Sequence, residues 1–270
     1  MRQALEPILK INNLQTHFFT KAGILKAVDG VSFEIAAGEI VGLVGESGSG
    51  KSITGFSVMG LVDPPGKIID GNINFKGKDL SALSNDQMQN IRGNRIAMIF
   101  QDPMMTLNPV LRIETQMIEA IQAHDGSISR EDARIRSRDT LGLVGISSPD
   151  ERLRAYPHQF SGGMRQRVSI AIAMLNRPDL IIADEPTTAL DVTIQGQVIS
   201  EMQKLCRETQ TALLWITHDL AVVAGIADRV CVMYAGQIVE QGFVADIIAN
   251  PMHPYTQGLM GSVPSQNQRG

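Results

Sequence analysis

Cysteine is scarce in this sequence, and its scarcity excludes two classes of site. The 270-residue chain has only two cysteines, Cys206 and Cys231, which cannot build a disulfide framework or a CxxC metal motif. Both lie in apolar patterns, which favours buried, reduced thiols. An excess of basic charge is also absent, because 24 Lys and Arg stand against 28 Asp and Glu, a net charge of −4. No overall positive field therefore attracts nucleic acid or acidic lipid.

Long apolar runs are missing as well. No stretch is long enough to predict a transmembrane helix, and the opening MRQALEPILK lacks the apolar segment of a secretory signal. No internal repeat or low-complexity segment occurs. We therefore expect a soluble protein of the reducing cytosol, so that any work at a membrane requires other chains to span it.

What the sequence does contain is an alternation of β-rich runs and helical stretches, which predicts an α/β fold with a mostly parallel sheet. Three early runs are short and turn-bounded, as in antiparallel edge strands: Ile8–Leu14, Val31–Ile35 and Asn72–Phe75. Five later runs are continuously apolar, as in strands buried on both faces: Ile40–Val44, Ile96–Phe100, Leu180–Ala183, Ala212–Thr217 and Val230–Tyr234. Helices are predicted at Ile53–Leu61, Ile113–Ala123, Ser129–Val144 and Val192–Arg207. Pro64-Pro65-Gly66 is predicted to stop the first of them.

The strongest motif is GESGSGKS at residues 45–52, which fits GxxxxGK[ST] and stands between a predicted strand and a predicted helix. Its glycines let successive backbone N–H groups surround phosphate oxygens, and the helix start directs its positive dipole end at the same anion. Lys51 would neutralise phosphate charge, and the Ser52 hydroxyl would bind Mg²⁺. The predicted phosphate-binding residues are Gly45, Glu46, Ser47, Gly48, Ser49, Gly50, Lys51 and Ser52.

A second element is the apolar run that ends in Asp184 and Glu185. A strand that ends in a carboxylate places it at the C-terminal edge of the sheet, where the phosphate loop also lies. Asp184 is predicted as an oxygen ligand of Mg²⁺. Glu185 is predicted as the general base that acts on the attacking water.

A third element, FSGGMRQR at residues 160–167, is a turn of small residues that opens another helix, and so a second terminus suited to an anion. One chain does not need two such termini for one nucleotide, and two chains that close each other's site provide the economical solution. With this element the sequence resembles the ATP-binding cassette (ABC) transporter ATPases, whose signature is LSGGQ. The first and last positions differ here, whereas Ser161, Gly162 and Gly163 are kept for phosphate contact.

This resemblance covers the chain from about Leu9 to Gly258 and implies roles for further residues. Gln101 resembles the glutamine that senses Mg²⁺ and couples to the membrane subunits, and His218 resembles the switch histidine that contacts the γ-phosphate. Asp191 resembles the aspartate that faces the partner ATPase. Phe18 aligns best with the aromatic residue that stacks on adenine, and Phe19 competes with it.

The resemblance also implies an architecture: a P-loop (RecA-like) parallel-sheet core, an antiparallel β subdomain and an inserted helical subdomain at about 102–165. The expected domain runs over 6–258, followed by a tail at 259–270 that begins a short or truncated extension. Longer members carry cysteines there for an iron–sulfur cluster, and we expect none here.

A finer resemblance links the chain to the peptide, nickel and opine importer branch through GESGSGKS, Gln101-Asp102-Pro103, FSGGMRQR and His253-Pro254-Tyr255-Thr256. It implies ATP and Mg²⁺ as cofactors, and ATP hydrolysis that drives the uptake of di- or oligopeptides. The expected partners are a second, related ATPase chain, two transmembrane permeases and an extracytoplasmic solute-binding protein, with no nucleic acid. The chain would then lie at the cytoplasmic face of the inner membrane, held there by the permeases.

Two alternatives stay open at this point. Nickel or another small solute is the first, since the permease and the binding protein choose the cargo and the ATPase does not touch it. A non-transport ABC ATPase of translation or DNA repair is the second. The single cassette, the absence of a sustained heptad repeat and the acidic balance disfavour it.

Overall fold

A computed structural model describes residues 7–187 and 192–261 of the chain. In this part of the chain the strands are β1 (Pro7–Thr20), β2 (Gly23–Ala36), β3 (Ile40–Val44), β4 (Gly66–Phe75), β5 (Lys78–Asp79), β6 (Ile96–Ile99), β7 (Leu180–Asp184), β8 (Ala212–Thr217), β9 (Arg229–Tyr234) and β10 (Gln237–Phe243). The α-helices are α1 (Lys51–Met59), α2 (Asn85–Gln89), α3 (Ile113–Gln122), α4 (Arg130–Leu143), α5 (Pro149–Leu153), α6 (Gly162–Met174), α7 (Val192–Thr209), α8 (Leu220–Ile226), α9 (Val244–Ala249) and α10 (Pro254–Gly261). Among the described residues, short 3-10 helices lie at Leu80–Ala82, Pro103–Met105 and Pro157–Gln159.

These elements form two compact units. The first contains the described residues up to 88 and from 212 onward, and the second contains the described residues of 89–211. The first unit holds an antiparallel sheet in the order β2-β1-β4-β5 and a run of strands in the order β10-β9-β3-β8. Within that run, β3 is parallel to both β8 and β9, and β10 is antiparallel to β9.

The central strands of the first unit are apolar throughout, and this explains why they were predictable. Every residue of β3 and of β8 is buried, as expected for strands covered on both faces. The predicted bounds Ile40–Val44 and Ala212–Thr217 are confirmed. β9 begins one residue earlier than predicted, at Arg229.

The antiparallel sheet corrects the prediction of short edge strands. β1 extends to 14 residues and lies between β2 and β4, so it is an interior strand. Its pairing with β2 shifts register between Ile11 and Leu14. Further shifts lie between Leu14 and Gln15 and between Thr16 and His17, and such irregularities let the strand continue through polar residues beyond its predicted end at Leu14.

The second unit combines the parallel pair β6–β7 with helices α3 to α7. The helix predicted at Ile113–Ala123 is confirmed to within one residue, and Ser129 is the N-cap of α4, with its hydroxyl accepting from the N–H of Asp132. The predicted apolar face of α7 is buried at Val198, Met202, Leu205 and Cys206, whereas Ile199 is half-buried. A helix-rich segment therefore occupies the region predicted for the inserted helical subdomain, and the α/β class is confirmed.

The stop of the first helix was predicted wrongly. Helix α1 ends at Met59, before Pro64, because Gly60 adopts the left-handed conformation with φ 60° and its N–H bonds back to the carbonyls of the last turn. Within the part of the chain that the structure describes, no helix has both the length and the apolar character needed to cross a membrane.

Candidate active site

The phosphate loop, residues 45–52, joins strand β3 to helix α1 in the first unit, as predicted. Lys51 is buried, with 5% of its surface exposed. Its Nζ donates to the carbonyl oxygens of Gly45 at 2.7 Å and Glu46 at 2.8 Å. The N-cap of α1 is Gly50, which supplies no side-chain cap to the first turn. This helix start therefore has backbone N–H groups and an ammonium group suited to an anion.

Neighbouring backbone fixes the shape of this loop. Gly50 has φ 106°, and a Cβ there would lie 2.1 Å from the carbonyl oxygen of Ala27. A Cβ on Gly45 would lie 2.1 Å from the carbonyl oxygen of Met233. The N–H of Gly236 donates to the carbonyl of Ser49 at 2.9 Å. The loop is thus packed between β2 and the β9–β10 turn, where glycine alone fits at both positions.

His218 leaves the sheet beside the phosphate loop. The register pairs Val44 of β3 with Thr217 of β8, so the next residues, Gly45 and His218, emerge at the same edge of neighbouring parallel strands. His218 is exposed, and Asp219 after it caps α8 by accepting from the N–H of Ala221. His218 therefore lies at the same sheet edge as the phosphate loop, and its contact with the γ-phosphate stays a prediction.

The two candidate adenine rings differ in accessibility. The ring of Phe18 packs on Gly66, where an added Cβ would lie 2.7 Å from a ring carbon. Phe19, its neighbour in β1, is 48% exposed. Phe19 is therefore the more accessible ring, and the stacking role of Phe18 stays a prediction.

In the second unit, the strand register brings Gln101 and Glu185 together. Ile99 of β6 pairs with Ala183 of β7, and beyond these strands the Nε2 of Gln101 lies 3.4 Å from the Oε2 of Glu185. Asp184, the last residue of β7, is 5% exposed. Glu185 has φ 44°, a left-handed conformation that non-glycine residues rarely adopt and that is found preferentially at functional sites.

The FSGGM turn opens helix α6, also in the second unit. Ser161 is its N-cap, and its hydroxyl accepts from the N–H of Met164 at 3.3 Å. The Phe160 side chain is buried, and its carbonyl accepts from the Nε of Arg165 at 3.1 Å. Ser161 and Gly162 are exposed, and nothing lies within 4 Å of a Cβ added at Gly162. The buried Phe160 side chain therefore anchors the turn, whereas Ser161 and Gly162 remain open to solvent.

Asp191 lies outside the described residues, so its predicted role stays a prediction.

Sequence reasoning missed Tyr255, whose hydroxyl accepts from the N–H of Glu46 at 2.8 Å. The two residues are 209 positions apart, and no local pattern signals a contact over that separation.

Comparison with protein families identifies two matches. The family model described as "ABC transporter" matches residues 28–188, and the model described as "Oligopeptide/dipeptide transporter, C-terminal region" matches residues 239–270. The first covers more than half of the chain. The second begins within β10 and includes the His253-Pro254-Tyr255-Thr256 segment.

Comparison with individual proteins agrees. The chain is 52% identical to the oligopeptide transport ATP-binding protein AppD of Bacillus subtilis, over 96% of this chain and 79% of AppD. It is also 52% identical to the dipeptide transport ATP-binding protein DppD of the same organism, over 98% of this chain and 79% of DppD. Among solved structures, the ATP-binding cassette MJ0796 in a dimeric post-hydrolysis state bound to ADP and Pi matches with a TM-score of 0.79 and 28% identity, over 87% of this chain and 98% of MJ0796.

These matches in sequence and in fold agree with the site described above: the phosphate loop with its buried lysine, the carboxylates at the end of β7 and the capped FSGGM turn. The chain therefore belongs to the ABC transporter family and is an ATP-binding, ATP-hydrolysing cassette.

Proposed function

We propose that this chain is the ATPase subunit that energises the uptake of di- or oligopeptides through separate permeases. The observation that carries the cargo class is the match of residues 239–270 to the oligopeptide/dipeptide C-terminal region. The names of the relatives, which are dipeptide and oligopeptide transport ATP-binding proteins, support the same class. No relative among these is named for nickel, so the nickel alternative is not retained.

The chemistry assigned to the phosphate loop is binding and charge neutralisation. Backbone N–H groups of residues 45–52, except that of Glu46, which donates to Tyr255, would hold the phosphates together with the start of α1. Lys51 would offset charge on the β- and γ-phosphates. Bound Mg²⁺ supplies further neutralisation of that charge. The oxygen donors assigned to it are the Ser52 hydroxyl, the Gln101 amide oxygen and the Asp184 carboxylate, the hard ligands that this cation prefers.

The proposed reaction is hydrolysis of the bond between the β- and γ-phosphates. Glu185 accepts a proton from water as the water oxygen attacks the γ-phosphorus, and the bond to the bridging oxygen of ADP breaks. The products are ADP and inorganic phosphate. The 3.4 Å contact between Gln101 and Glu185 supports this assignment, because the amide N–H orients the carboxylate that acts as base. His218 is assigned to the γ-phosphate.

A second cassette is part of the proposal. Ser161, Gly162 and Gly163 are assigned to the nucleotide held by a partner ATPase, together with Asp191 as a residue that faces the partner. Support comes from the exposure of Ser161 and Gly162 at the open end of α6. A related but different ATPase chain, two permeases and an extracytoplasmic solute-binding protein complete the importer, which places this chain at the cytoplasmic face of the inner membrane. The net charge of −4 supports an assembly without nucleic acid.

The proposed domain organisation follows the sequence prediction. The ABC ATPase domain spans 6–258, with the helical subdomain at about 102–165 inserted in it. The tail at 259–270 follows, and its boundary lies inside the segment matched at 239–270.

The test is uptake by cells that lack this gene and carry the wild-type chain, Glu185→Gln or the control Glu208→Gln. Labelled dipeptide, a longer peptide and Ni²⁺ are offered in parallel. We expect wild type and Glu208→Gln to restore peptide uptake, because Glu208 is a surface residue of α7 paired with Lys204. Glu185→Gln should bind ATP but lower turnover by about 10²- to 10⁴-fold, the usual contribution of a general base.

Two outcomes would contradict the proposal. Near-normal turnover in Glu185→Gln would remove the base assignment, whatever the cargo. Restoration of Ni²⁺ uptake without peptide uptake would move the cargo to the nickel class and leave the ATPase assignment in place.

A further inference from the structure

We propose that Tyr255 is a positioning residue for the phosphate loop, which it orients through the Gly45–Glu46 peptide group. The proposal rests on the assignment of phosphate binding to residues 45–52. It gives the C-terminal segment, residues 252–256, a direct effect on nucleotide affinity.

The Gly45–Glu46 peptide group is held from both sides. Its N–H donates to the Tyr255 hydroxyl at 2.8 Å, and its carbonyl, that of Gly45, accepts from the Nζ of Lys51 at 2.7 Å. A peptide group is planar, with its N–H and C=O pointing in opposite directions. Fixing the N–H on Tyr255 therefore aims the carbonyl at Lys51, and so fixes the position of the ammonium group.

The hydrogen bond to Tyr255 fixes the orientation of the Glu46 N–H, which would otherwise change with the conformation of the loop. The carbonyl of Glu46 also accepts from Lys51, at 2.8 Å, and from the N–H of Ser49, at 3.2 Å. Both peptide groups next to the Glu46 Cα thus have polar partners. Because the Glu46 side chain itself is exposed, these backbone bonds hold this corner of the loop.

The C-terminal segment is in turn held in place by Glu240 of β10. Its carboxylate accepts from the N–H groups of Met252 at 2.7 Å and His253 at 3.0 Å. Burial opposes ionisation of Glu240, but hydrogen bonds that include these two keep its pKa below the usual range. His253 accepts, through Nδ1, from the N–H of Tyr255 at 3.1 Å, which fixes the first turn of α10.

The aromatic ring of Tyr255 is supported by a second ring. Tyr234, at the end of β9, lies with its ring centroid 4.6 Å from that of Tyr255, the separation of a favourable aromatic pair. Burial raises the pKa of the Tyr255 hydroxyl, so it remains neutral in the physiological range. A neutral acceptor satisfies the N–H of Glu46 without placing negative charge beside a loop that binds an anion.

The test is Tyr255→Phe, which removes the hydroxyl and keeps the ring on Tyr234. The readouts are the dissociation constants of MgATP and MgADP for the full chain, measured by calorimetry, and the melting temperature. We expect both constants to rise by the same factor, about two- to tenfold, the range that an ordinary net hydrogen-bond contribution produces. The factor is shared because both nucleotides carry the β-phosphate that the loop holds.

Two matched variants separate positioning from packing. Tyr234→Phe removes a hydroxyl from the neighbouring ring and should leave both dissociation constants unchanged. Tyr255→Leu removes the hydroxyl and the ring, so it should weaken nucleotide binding as much as Tyr255→Phe does and also lower the melting temperature. In the assembled transporter, Tyr255→Phe should raise KM for ATP with kcat within about twofold, the pattern of a lost uniform binding interaction.

The proposal is overturned if Tyr255→Phe binds MgATP and MgADP as tightly as wild type, or if weakened binding occurs only in Tyr255→Leu together with a lower melting temperature. A wild-type chain that binds neither nucleotide would instead contradict the proposed function. The two failures are therefore distinguishable in the same titrations.

Discussion

Two helices of this molecule begin at glycine-rich turns assigned to phosphate, and they are built differently. The glycine-rich turn that leads into α1 is enclosed by its own unit, with Gly45 and Gly50 in contact with neighbouring backbone and Lys51 buried. The first turn of α6 has Ser161 and Gly162 at the surface, with open space at Gly162.

The capping of these helices differs in the same sense. The start of α1 has no side-chain cap and is fixed by surrounding residues, whereas the start of α6 is capped by its own Ser161 hydroxyl. An uncapped but enclosed start is pre-organised for a ligand within one chain. A capped and exposed start is stable by itself and leaves its outer surface for a partner, which agrees with the proposed use of two chains per site.

The largest expected effect is the loss of ATP affinity when the charge of Lys51 is removed from the enclosed turn. Lys51→Ala should weaken ATP binding by roughly 10- to 150-fold, because hydrogen bonds that involve a charged group contribute about 1.5–3 kcal/mol. The measurement is calorimetric titration of the full chain with MgATP. Lys204→Ala, at an exposed lysine of α7, is the matched control and should bind as wild type does. Equal affinities for Lys51→Ala and its control would show that the enclosed turn does not hold the phosphates.

A second prediction compares one added methyl group at the two turns. Gly50→Ala should destabilise the chain by at least about 2 kcal/mol, because φ 106° is strained for alanine and the Cβ would lie 2.1 Å from a carbonyl oxygen. Gly162→Ala should change stability by less than about 0.5 kcal/mol, since its Cβ meets nothing within 4 Å. Urea denaturation of both variants measures the difference. Similar losses at the two positions would end the contrast between enclosed and open turns.

A third prediction concerns the cap of the open turn. Ser161→Ala should lower the unfolding free energy by about 1 kcal/mol, the usual value of an N-cap side chain. Ser161→Asp supplies another capping side chain and should restore most of that loss. Thermal denaturation of the three chains checks the expectation, and a loss that aspartate does not recover would locate the effect outside the cap.

The smallest expected effect concerns the two cysteines, one in each unit, which should not be alkylated in the folded chain. Burial raises the pKa of Cys206, in the second unit, and of Cys231, in the first, each to about 12. Because thiolate is the reactive form, neither folded thiol should react with iodoacetamide at pH 8, and both should react in urea. Since the folded pKa exceeds the ordinary value of 9.0, these groups contribute stability that is complete below pH 9 and declines towards pH 12. Rapid labelling of one cysteine in the folded chain would identify the unit that opens.

Sequence patterning predicted the elements whose environment is uniform. β3 and β8 are buried along their whole length, so a continuous apolar run marked their ends correctly. β1 was predicted too short because its register shifts let polar residues remain inside a strand. The end of helix α1 was predicted two residues too late, at Leu61, because the conformation of Gly60, and not the later prolines, ends the helix.

The candidate site divides in the same way. The residue types of the phosphate loop, of Asp184 and Glu185 and of the FSGGM turn are fixed by local chemistry, because phosphate binding requires glycines, a lysine and a helix start close together in the chain. The chain by itself thus determined the family and the kind of reaction.

Only the tertiary structure decided which residues contact the groups of the candidate site. The Gln101–Glu185 contact follows from the pairing of β6 with β7, and the Tyr255–Glu46 bond follows from the return of the C-terminal segment to the phosphate loop. The difference between an enclosed and an open phosphate turn depends on which backbone surrounds each glycine. These contacts join residues that are distant in the chain, so local sequence patterns contain no record of them, and only the packed fold brings the atoms within bonding distance.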